Sequence, residues 1–396
     1  MNHLFVTQDY APDSGGMARR HVELCRRFAD ADNSIAVSTI ANEHAAEFDQ
    51  GENYGIHRQP FSFREANRFA NQVRWARWLT AFCRGAVDVI HCGNVRPVGY
   101  AVAWTSFRLG IPYIVYVNGG DLLREKKKAG SSRLKRSTAR RILGGAAGVA
   151  ATSAWVAELA GEVMDQVGVT IVPPIRALDL GTDPVAFNPA RDSGRLRAKW
   201  GLKGEPVILT VARLVPHKGQ DIGMRTVAAL RGEFPEIRYV LVGEGHDEAR
   251  LRALAGELGI LDNVIFAGAI PDSDLPEAYA TATVYLGASR VDNEVNVEGF
   301  GISFLEASSS GVPVVAGDSG GVRSAVRDGE TGIVVSPTDV DAMSGAIAGF
   351  LRDESKRRRF GEAGRRAVET HYNWDRVASV TRAFALEVTR ADREKK

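Results

Sequence analysis

The chain has 396 residues, 44% of them hydrophobic, and a formal net charge of +2. This length is enough for two domains with separate cores, and the near-balanced charge does not indicate nucleic acid as a partner. The apolar run at the N-terminus is too short for a signal peptide, and no stretch approaches the ~18 apolar residues of a membrane-spanning helix. Three cysteines, Cys25, Cys83 and Cys92, predict neither a disulfide framework nor a zinc site. We therefore expect a cytoplasmic protein.

Strands and helices alternate through the N-terminal half. A strand at 3–7 leads through the turn Ser14-Gly15-Gly16 into a helix at 17–28. Because the first N–H groups of a helix have no partner within it, Gly15 and Gly16 are candidates for binding a phosphate, although a Gly-Gly turn is often only a turn. Further strands are predicted at 34–39, 87–91, 112–117, 148–152 and 169–172. This alternation is typical of a doubly wound parallel sheet.

The strand at 112–117 is followed directly by Asn118 and then by Asp121. In open α/β sheets, ligands bind at the carboxyl ends of the strands, so both side chains are candidate ligand contacts. His91, at the end of another predicted strand, is an alternative candidate. A histidine in that position more often packs against the core.

Two stretches of this half combine basic residues with other features of a lipid-binding surface. The stretch 124–141 has a single acidic residue, Glu125, and nine basic ones: Arg124, Lys126, Lys127, Lys128, Arg133, Lys135, Arg136, Arg140 and Arg141. It is either a solvated helix face with a mobile loop or a site of adsorption to anionic lipid, where each basic residue contributes ~1 kcal/mol. In the stretch 64–84, aromatic residues alternate with arginines, as at a membrane interface, although the same aromatic residues could pack on the sheet.

The periodicity fails between 173 and 200, where four prolines accumulate, and this predicts an interdomain linker at 176–200. The domains are then 1–175 and 201–372, followed by a C-terminal helix at 373–396. Alternation resumes in the second domain, with strands at 207–211, 238–242 and 264–267 and helices at 219–231 and 248–258. Two Rossmann-like halves follow from this arrangement.

The stretch 289–321 contains two glutamates, Glu298 and Glu306, with glycines between them. Gly299 and Gly301 permit a backbone turn that approaches a ligand closely before an apolar helix begins. Glu306 lies ~12 Å further along the same helix face at 1.5 Å per residue. Two glutamates at this spacing are also common as solvated side chains.

The start of this helix is a candidate anion site. The free N–H groups of Ile302 and Ser303 and the helix dipole favour a negative charge there. A sugar nucleotide has the matching shape, because its diphosphate is the anion, its ribose would reach Glu306 and its sugar would lie beside Glu298. Gly299, Phe300 and Gly301, in the turn, would contact the same sugar.

Several motifs resemble glycosyltransferase family 4, and they occur in the order found in that family. They are YAPDSGG (10–16), VARLVPHKGQD (211–221), LVGEG (241–245), EGFGISFLEA (298–307) and GVPVVA (311–316). The resemblance implies an α/β GT-B fold, with two Rossmann-like doubly wound parallel-sheet domains facing each other across a cleft and the C-terminal helix packing back on the N-terminal domain. The longer runs RVDNEVNVEG and RLVPHKGQD resemble the GDP-mannose-dependent phosphatidylinositol mannosyltransferases of this family.

The resemblance implies a retaining, metal-independent hexosyltransferase. Arg213 and Lys218 would stabilise the departing diphosphate and take over the electrostatic role of a metal ion. The nucleotide base would lie against Gly268, Ala269 and Ile270. No metal or other cofactor is expected, since the nucleotide sugar is a substrate.

The catalytic residues implied by the resemblance are Glu298, Asn118 and Asp121. Members of the family commonly carry a histidine where this chain has Asn118. Asparagine can hydrogen-bond a sugar hydroxyl, but it cannot accept a proton at neutral pH. The acid three residues later is retained as Asp121.

The sequence therefore predicts transfer of a hexose, with mannose from GDP-mannose as the first candidate, to a lipid or glycan hydroxyl. The enzyme would work in the cytoplasm, on its own or peripherally at the inner face of an anionic membrane. The alternatives are a UDP-sugar-dependent transferase with a soluble acceptor and a nucleotide-sugar-binding protein without transferase activity.

Overall fold

A computed structural model describes residues 1–13, 15–29, 33–61 and 68–394. Ser14 and the first part of the stretch 64–84 lie outside these residues. The chain forms two compact units, one made of 1–178 with 374–396 and the other of 179–373. No helix among the described residues is both long enough and apolar enough to cross a membrane.

The first unit is built on a seven-stranded sheet with the order β3-β2-β1-β4-β5-β6-β7, in which every neighbouring pair is parallel. Its strands are β1 Asn2–Val6, β2 Ser34–Ile40, β3 Gly55–Gln59, β4 Val89–Cys92, β5 Tyr113–Val117, β6 Gly148–Ala151 and β7 Ile175–Ala177. Strands β4, β5 and β6 are buried along their whole length, as expected where helices cover both faces of a parallel sheet. The helices are α1 Gly16–Phe28, α2 Ala46–Gly51, α3 Arg68–Phe82, α4 Val98–Leu109, α5 Gly119–Ser131, α6 Arg133–Gly144, α7 Ala154–Val167 and α16 Trp374–Glu394.

The second unit has a six-stranded parallel sheet with the order β10-β9-β8-β11-β12-β13. Its strands are β8 Val207–Val211, β9 Arg238–Val242, β10 Val264–Gly268, β11 Val284–Gly287, β12 Val314–Gly317 and β13 Gly332–Val335. Its helices are α8 Arg195–Lys199, α9 Gln220–Leu230, α10 Glu248–Glu257, α11 Leu275–Thr281, α12 Ile302–Ser309, α13 Val322–Ala325, α14 Val340–Arg352 and α15 Glu354–Thr370. Both units are therefore Rossmann-like, as the sequence predicts.

Two details differ from the predicted boundaries. The strand predicted at 169–172 is wrong: Ile171 is 79% exposed, and pairing with β6 begins only at the carbonyl of Pro174. Pro173 and Pro174 have no backbone N–H, so they cannot donate the hydrogen bonds that would extend a strand at 169–172. Residues 179–200, predicted as part of a linker, belong to the second unit, where the Ser309 hydroxyl donates a 2.7 Å hydrogen bond to the carbonyl of buried Phe187.

Helix α16 belongs to the first unit. Its residues Phe384 and Val388 lie so close to Gly148 in β6 that a side chain there would overlap them. Arg27 Nε donates a 2.6 Å hydrogen bond to Asp375, and Arg393 donates one of the same length to Asp88. The last helix thus covers part of the sheet formed by the first 178 residues.

His91 is a core residue of the first unit and not a ligand contact. Its ring stacks on Phe5 with the centroids 4.1 Å apart, and its two nitrogens lie 2.8 Å from Tyr116 Oη and 2.9 Å from His3 Nδ1. Burial lowers the pKa of His3 from 6.5 to about 4 and the pKa of His91 well below 6.5. Both imidazoles are therefore neutral at physiological pH.

These histidines predict that the free energy of unfolding decreases as the pH falls from about 6.5 to about 4. In that window the unfolded chain binds protons that the folded chain excludes, at a cost on the order of 3 kcal/mol for His3 alone. Urea unfolding at pH 7.5, 5.5 and 4.5 measures the effect. His91→Phe should show a smaller loss than the wild type, and His44→Ala, at an exposed position, should match the wild type. An unchanged loss in His91→Phe would contradict the assignment.

Candidate functional site

The turn before α12 depends on two glycines. Gly301, the N-cap of α12, has φ 98°, and a side chain there would overlap the ring of Phe304. Gly320 packs against the carbonyl of Glu298 with no room for a Cβ, and the neighbouring Gly321 N–H donates a 2.9 Å hydrogen bond to that carbonyl. The backbone around Glu298 is therefore held on both sides by close packing that only glycine permits.

The carboxylate of Glu298 forms an ion pair with Lys218. Lys218 Nζ donates a 2.6 Å hydrogen bond to Glu298 Oε2, and the Ser289 hydroxyl donates one of 3.3 Å to the same oxygen. The two charged side chains are only 21% and 14% exposed. Burial opposes ionisation of Glu298, but Lys218, with help from His217 and Ser289, more than offsets it, so the pKa of Glu298 lies below its ordinary value.

Lys218 lies at the end of a single 3₁₀ turn, Pro216–Lys218, between β8 and α9. Gly219 ends this turn with φ 72° and lies against the carbonyl of Ala288, where no Cβ would fit. Burial, together with Lys218 and Arg213, lowers the pKa of the intervening His217. Arg213 is exposed, so the loop after β8 carries a second cationic group besides Lys218.

Glu306 is buried on α12. Its side chain is 4% exposed, and Tyr279 Oη donates a 2.6 Å hydrogen bond to Glu306 Oε2. Ile302 and Ser303, which begin α12, are half-buried, and the ring of Tyr285 packs edge-to-face against Phe304 of the same helix, with the centroids 5.8 Å apart. Sequence analysis predicted no role for Tyr279 or Tyr285, because neither belongs to one of the recognised motifs.

The predicted base-binding residues lie at the end of β10. Gly268 has φ 68°, and its carbonyl accepts a 2.8 Å hydrogen bond from Gly243 N–H. The N–H of Ala269 donates a 3.4 Å hydrogen bond to Glu244 Oε1, and Ile270 is half-buried. The contact of these residues with a base stays a prediction.

The loop before Glu298 is anchored by an ion pair that the sequence did not reveal. Arg290 donates two hydrogen bonds, of 2.8 and 3.1 Å, to the two carboxylate oxygens of Asp221 in α9. Asp292 and Asn296 exchange backbone hydrogen bonds of 2.9 Å around a turn in which Asn293 and Glu294 have positive φ. The loop therefore has a defined shape where it leads into Glu298.

In the first unit, Asn118 and Asp121 are brought together at the start of α5. Asn118 Oδ1 accepts a 2.9 Å hydrogen bond from Asp121 N–H, and Asn118 Nδ2 donates one of 2.7 Å to Asp121 Oδ2. Arg124 donates one of 2.6 Å to Asp121 Oδ1. Asn118 is thus the N-cap of α5, a role that sequence reasoning did not assign to it.

Gly15 and Gly16 lie where the sequence predicts, at the start of α1. Gly15 is the N-cap with φ 130° and no side chain caps the helix. Both residues are exposed, and nothing lies within 4 Å of a Cβ built on Gly15. Phosphate binding here stays a prediction. Among the described residues, no group of three or more His, Cys, Asp and Glu side chains is arranged to hold a metal ion.

Residues 14–174 match the family described as Glycosyltransferase Family 4, and residues 192–367 match the family described as Glycosyl transferases group 1. The chain belongs to glycosyltransferase family 4. Over 196 residues it is 40% identical to the GDP-mannose-dependent alpha-(1-6)-phosphatidylinositol monomannoside mannosyltransferase of Mycolicibacterium smegmatis, covering 49% of this chain and 51% of the relative. The chain thus spans about half the length of the mannosyltransferase relatives that it matches.

Other matches extend over more of this family 4 chain. A D-inositol 3-phosphate glycosyltransferase of Acidothermus cellulolyticus is 35% identical over 305 residues, which are 74% of this chain and 65% of the relative. Among solved structures, Anabaena HepE in complex with UDP and glucose has a TM-score of 0.76 at 19% identity, covering 96% of this chain and 98% of that one. Sucrose-phosphate synthase of Thermosynechococcus elongatus also has a TM-score of 0.76, at 22% identity, with 98% and 99% covered. These structures support the predicted GT-B fold.

The capping geometry of Asn118 predicts a defined cost of removing its amide. Asn118→Ala should lower the free energy of unfolding by ~1 kcal/mol, because the first turn of α5 loses its cap. Asn118→Ser, which keeps a capping oxygen, should lose less. Urea unfolding of the three proteins measures the difference. Equal stability of the wild type and Asn118→Ala would show that the cap contributes nothing.

Proposed function

We propose that the protein is a retaining glycosyltransferase that moves a hexose from a nucleotide sugar to an acceptor hydroxyl. The observation that carries the proposal is the Lys218–Glu298 ion pair of 2.6 Å in front of α12, in a chain of glycosyltransferase family 4. This pair places a cation and a carboxylate side by side at the start of a helix. A cation can stabilise a diphosphate, and a carboxylate beside it can orient the sugar attached to that diphosphate.

In this proposal the diphosphate lies against Arg213, Lys218 and the first N–H groups of α12, at Ile302 and Ser303. The leaving nucleotide gains negative charge as the glycosidic bond breaks. Fixed cations and N–H groups therefore stabilise the transition state more than the bound substrate. We also propose that Gly15 and Gly16, at the start of α1, bind phosphate through their N–H groups. The electrostatic role that a metal ion plays in other transferases falls to Arg213 and Lys218.

Glu298 would orient the sugar through its hydroxyls and stabilise the positive charge that develops on the ring. Its lowered pKa keeps it ionised for that purpose. The turn residues Gly299, Phe300 and Gly301 would contact the same sugar. In the first unit, Asn118 and Asp121 remain the proposed catalytic residues. Since Asn118 cannot accept a proton, we assign deprotonation of the acceptor to the leaving phosphate, which the bound geometry would hold next to the attacking hydroxyl.

We propose mannose from GDP-mannose as the donor and an inositol-containing lipid or glycan as the acceptor. The names of the relatives support this choice: one group uses GDP-mannose and phosphatidylinositol monomannoside, and another D-inositol 3-phosphate. The enzyme would then act in the cytoplasm at the inner face of an anionic membrane. A UDP-sugar donor is the second candidate, since HepE was solved with UDP and glucose. Stabilisation of the protein against heat by GDP or by UDP distinguishes the two donors.

Lys218→Ala should lower kcat for transfer by at least ~100-fold, because a fixed cation at the leaving group is lost. Nucleotide release is measured over a panel of donors, with lipid and soluble acceptors, and circular dichroism reports the fold. Lys203→Ala is the control, since Lys203 is exposed on the same unit. Full activity of a folded Lys218→Ala would contradict the site. Nucleotide binding without release from any donor in the wild type would favour a binding protein.

The position of Glu306 predicts a ribose contact that binding measurements can isolate. The wild type should bind GDP at least ~10-fold more tightly than 2′,3′-dideoxy-GDP, because a carboxylate accepts strong hydrogen bonds from the ribose hydroxyls. Glu306→Ala should bind the two ligands equally. Tyr279→Phe keeps the carboxylate and should keep the preference. A Glu306→Ala protein that still prefers GDP would place the ribose elsewhere.

A further inference from the structure

Helix α4 carries a row of exposed aromatic side chains. Tyr100, Trp104 and Phe107 are 38%, 53% and 83% exposed. They are four and three residues apart, so they follow one another along one face of the helix. The opposite face is buried through Val98, Ala101, Val102 and Thr105. We call Tyr100, Trp104 and Phe107 the α4 stripe.

The α4 stripe is unusual for the surface of a soluble unit. The six tryptophans of the chain all lie within the described residues, and Trp104 is the only one of them that is exposed. Trp75 in the neighbouring helix α3 is fully buried, and Trp78 stacks on Phe82 with the centroids 4.8 Å apart. Among the aromatic residues of the stretch 64–84, Phe69 is 83% exposed and Trp75, Trp78 and Phe82 are buried or half-buried, so the contiguous outward row lies on α4. Such rows mark interaction surfaces.

The surroundings of the α4 stripe are strongly basic. The segments of α3, α4 and α6 contain no acidic residue. Helix α6 packs beside α4, where Ile142 lies against Gly99 and Arg96 donates hydrogen bonds to the Lys135 carbonyl and to Thr138. The exposed basic residues of the three helices are Arg74, Arg77, Arg108, Arg133, Lys135, Arg136, Arg140 and Arg141. Within the described part of the chain, none of these eight forms a salt bridge.

The lysines of α5 differ from these residues. Lys126 pairs with Glu162 at 2.8 Å, and Lys128 with Glu125 at 3.4 Å. Part of the charge in the run 124–141 is thus compensated within the protein. The uncompensated part lies on α6, next to the α4 stripe.

We propose that the α4 stripe and the basic residues of α6 form a docking surface for an anionic lipid bilayer. The proposal rests on the proposed lipid acceptor and adds the surface by which the enzyme would reach it. Tyrosine and tryptophan favour the membrane interface, where an apolar ring and a polar tip are both satisfied. Unpaired arginines and lysines beside them are attracted to anionic headgroups. An anionic bilayer complements both the aromatic row and the basic residues. A row of aromatic residues without the basic ones would not distinguish a bilayer from other apolar partners.

Tryptophan quenching by brominated lipids tests the insertion of Trp104 directly. Full-length protein is mixed with vesicles of brominated phosphatidylglycerol or of brominated phosphatidylcholine at 0.1 M salt. We expect quenching only with phosphatidylglycerol, and a much smaller effect in Trp104→Phe, whose remaining tryptophans are buried or half-buried. Raising the salt to 1 M should release the protein, because the screening length falls from ~10 Å to ~3 Å.

Co-sedimentation with the same vesicles tests the two parts of the surface. Trp104→Ala with Phe107→Ala should weaken binding at least ~10-fold, since each ring buries apolar surface in the membrane. Arg133→Ala with Lys135→Ala should weaken it and reduce its salt dependence. The matched controls, Leu261→Ala on the exposed surface of the second unit and Lys126→Ala in the paired α5 run, should bind almost as the wild type does.

Three results would overturn the proposal. The first is that the wild type does not bind phosphatidylglycerol vesicles. The second is that it binds them without quenching of Trp104. The third is that the Trp104→Ala, Phe107→Ala double variant binds them as tightly as the wild type does. Suppose that the wild type is a dimer without lipid, that the double variant is a monomer, and that neither binds vesicles. The stripe would then be a contact between two copies of the chain. The proposed transferase activity is scored separately by stabilisation with GDP and by nucleotide release in detergent, which the variant should retain.

Discussion

The hydrogen bond from the Lys218 ammonium to the Glu298 carboxylate is the interaction on which the candidate site depends. It joins the loop after β8 to the turn before α12, two segments 80 residues apart in the chain. Charges that are mostly removed from water are costly unless they are paired. The pair therefore holds both loops in place, and it keeps a cation and a carboxylate ready for a ligand that needs both. In the proposed function, a diphosphate bound at Lys218 would compete with Glu298 for the same ammonium group.

Glycines give this pair its geometry. Gly219 lies against the carbonyl of Ala288 beside Lys218, and Gly301 and Gly320 allow the close packing around Glu298. The site in the first unit is built differently, because the Asn118 amide and the Asp121 carboxylate satisfy each other across the first turn of α5. One unit thus presents a charged pair held by loops, and the other a polar pair held by a helix cap. In the function proposed above, a ligand would replace an ion pair at the first and would share hydrogen bonds at the second.

Sequence patterns predicted the sheet cores well and the tertiary details poorly. Strands β8 and β9 fall at the predicted residues, 207–211 and 238–242, because buried parallel strands are continuous apolar runs. The edge strand β3, GIHRQ, has no such run and was not predicted. Motifs singled out Lys218, Glu298 and Glu306. Their partners Ser289 and Tyr279 belong to none of the recognised motifs, and the sequence does not show that their side chains reach these groups. The exposure of Trp104 likewise depends on which face of α4 packs inward.

The place of α16 affects the order in which the chain can fold. Gly148 in β6 is covered by Phe384 and Val388, residues made more than 200 positions later. During synthesis, the apolar surface beside β6 must therefore stay open while residues 179–373, which form a compact unit of their own, emerge. Contacts between distant residues form slowly, because the intervening chain must first be brought together. The second unit can thus be folded while the first still exposes the apolar surface beside β6. At that stage the chain is most open to chaperone binding or aggregation.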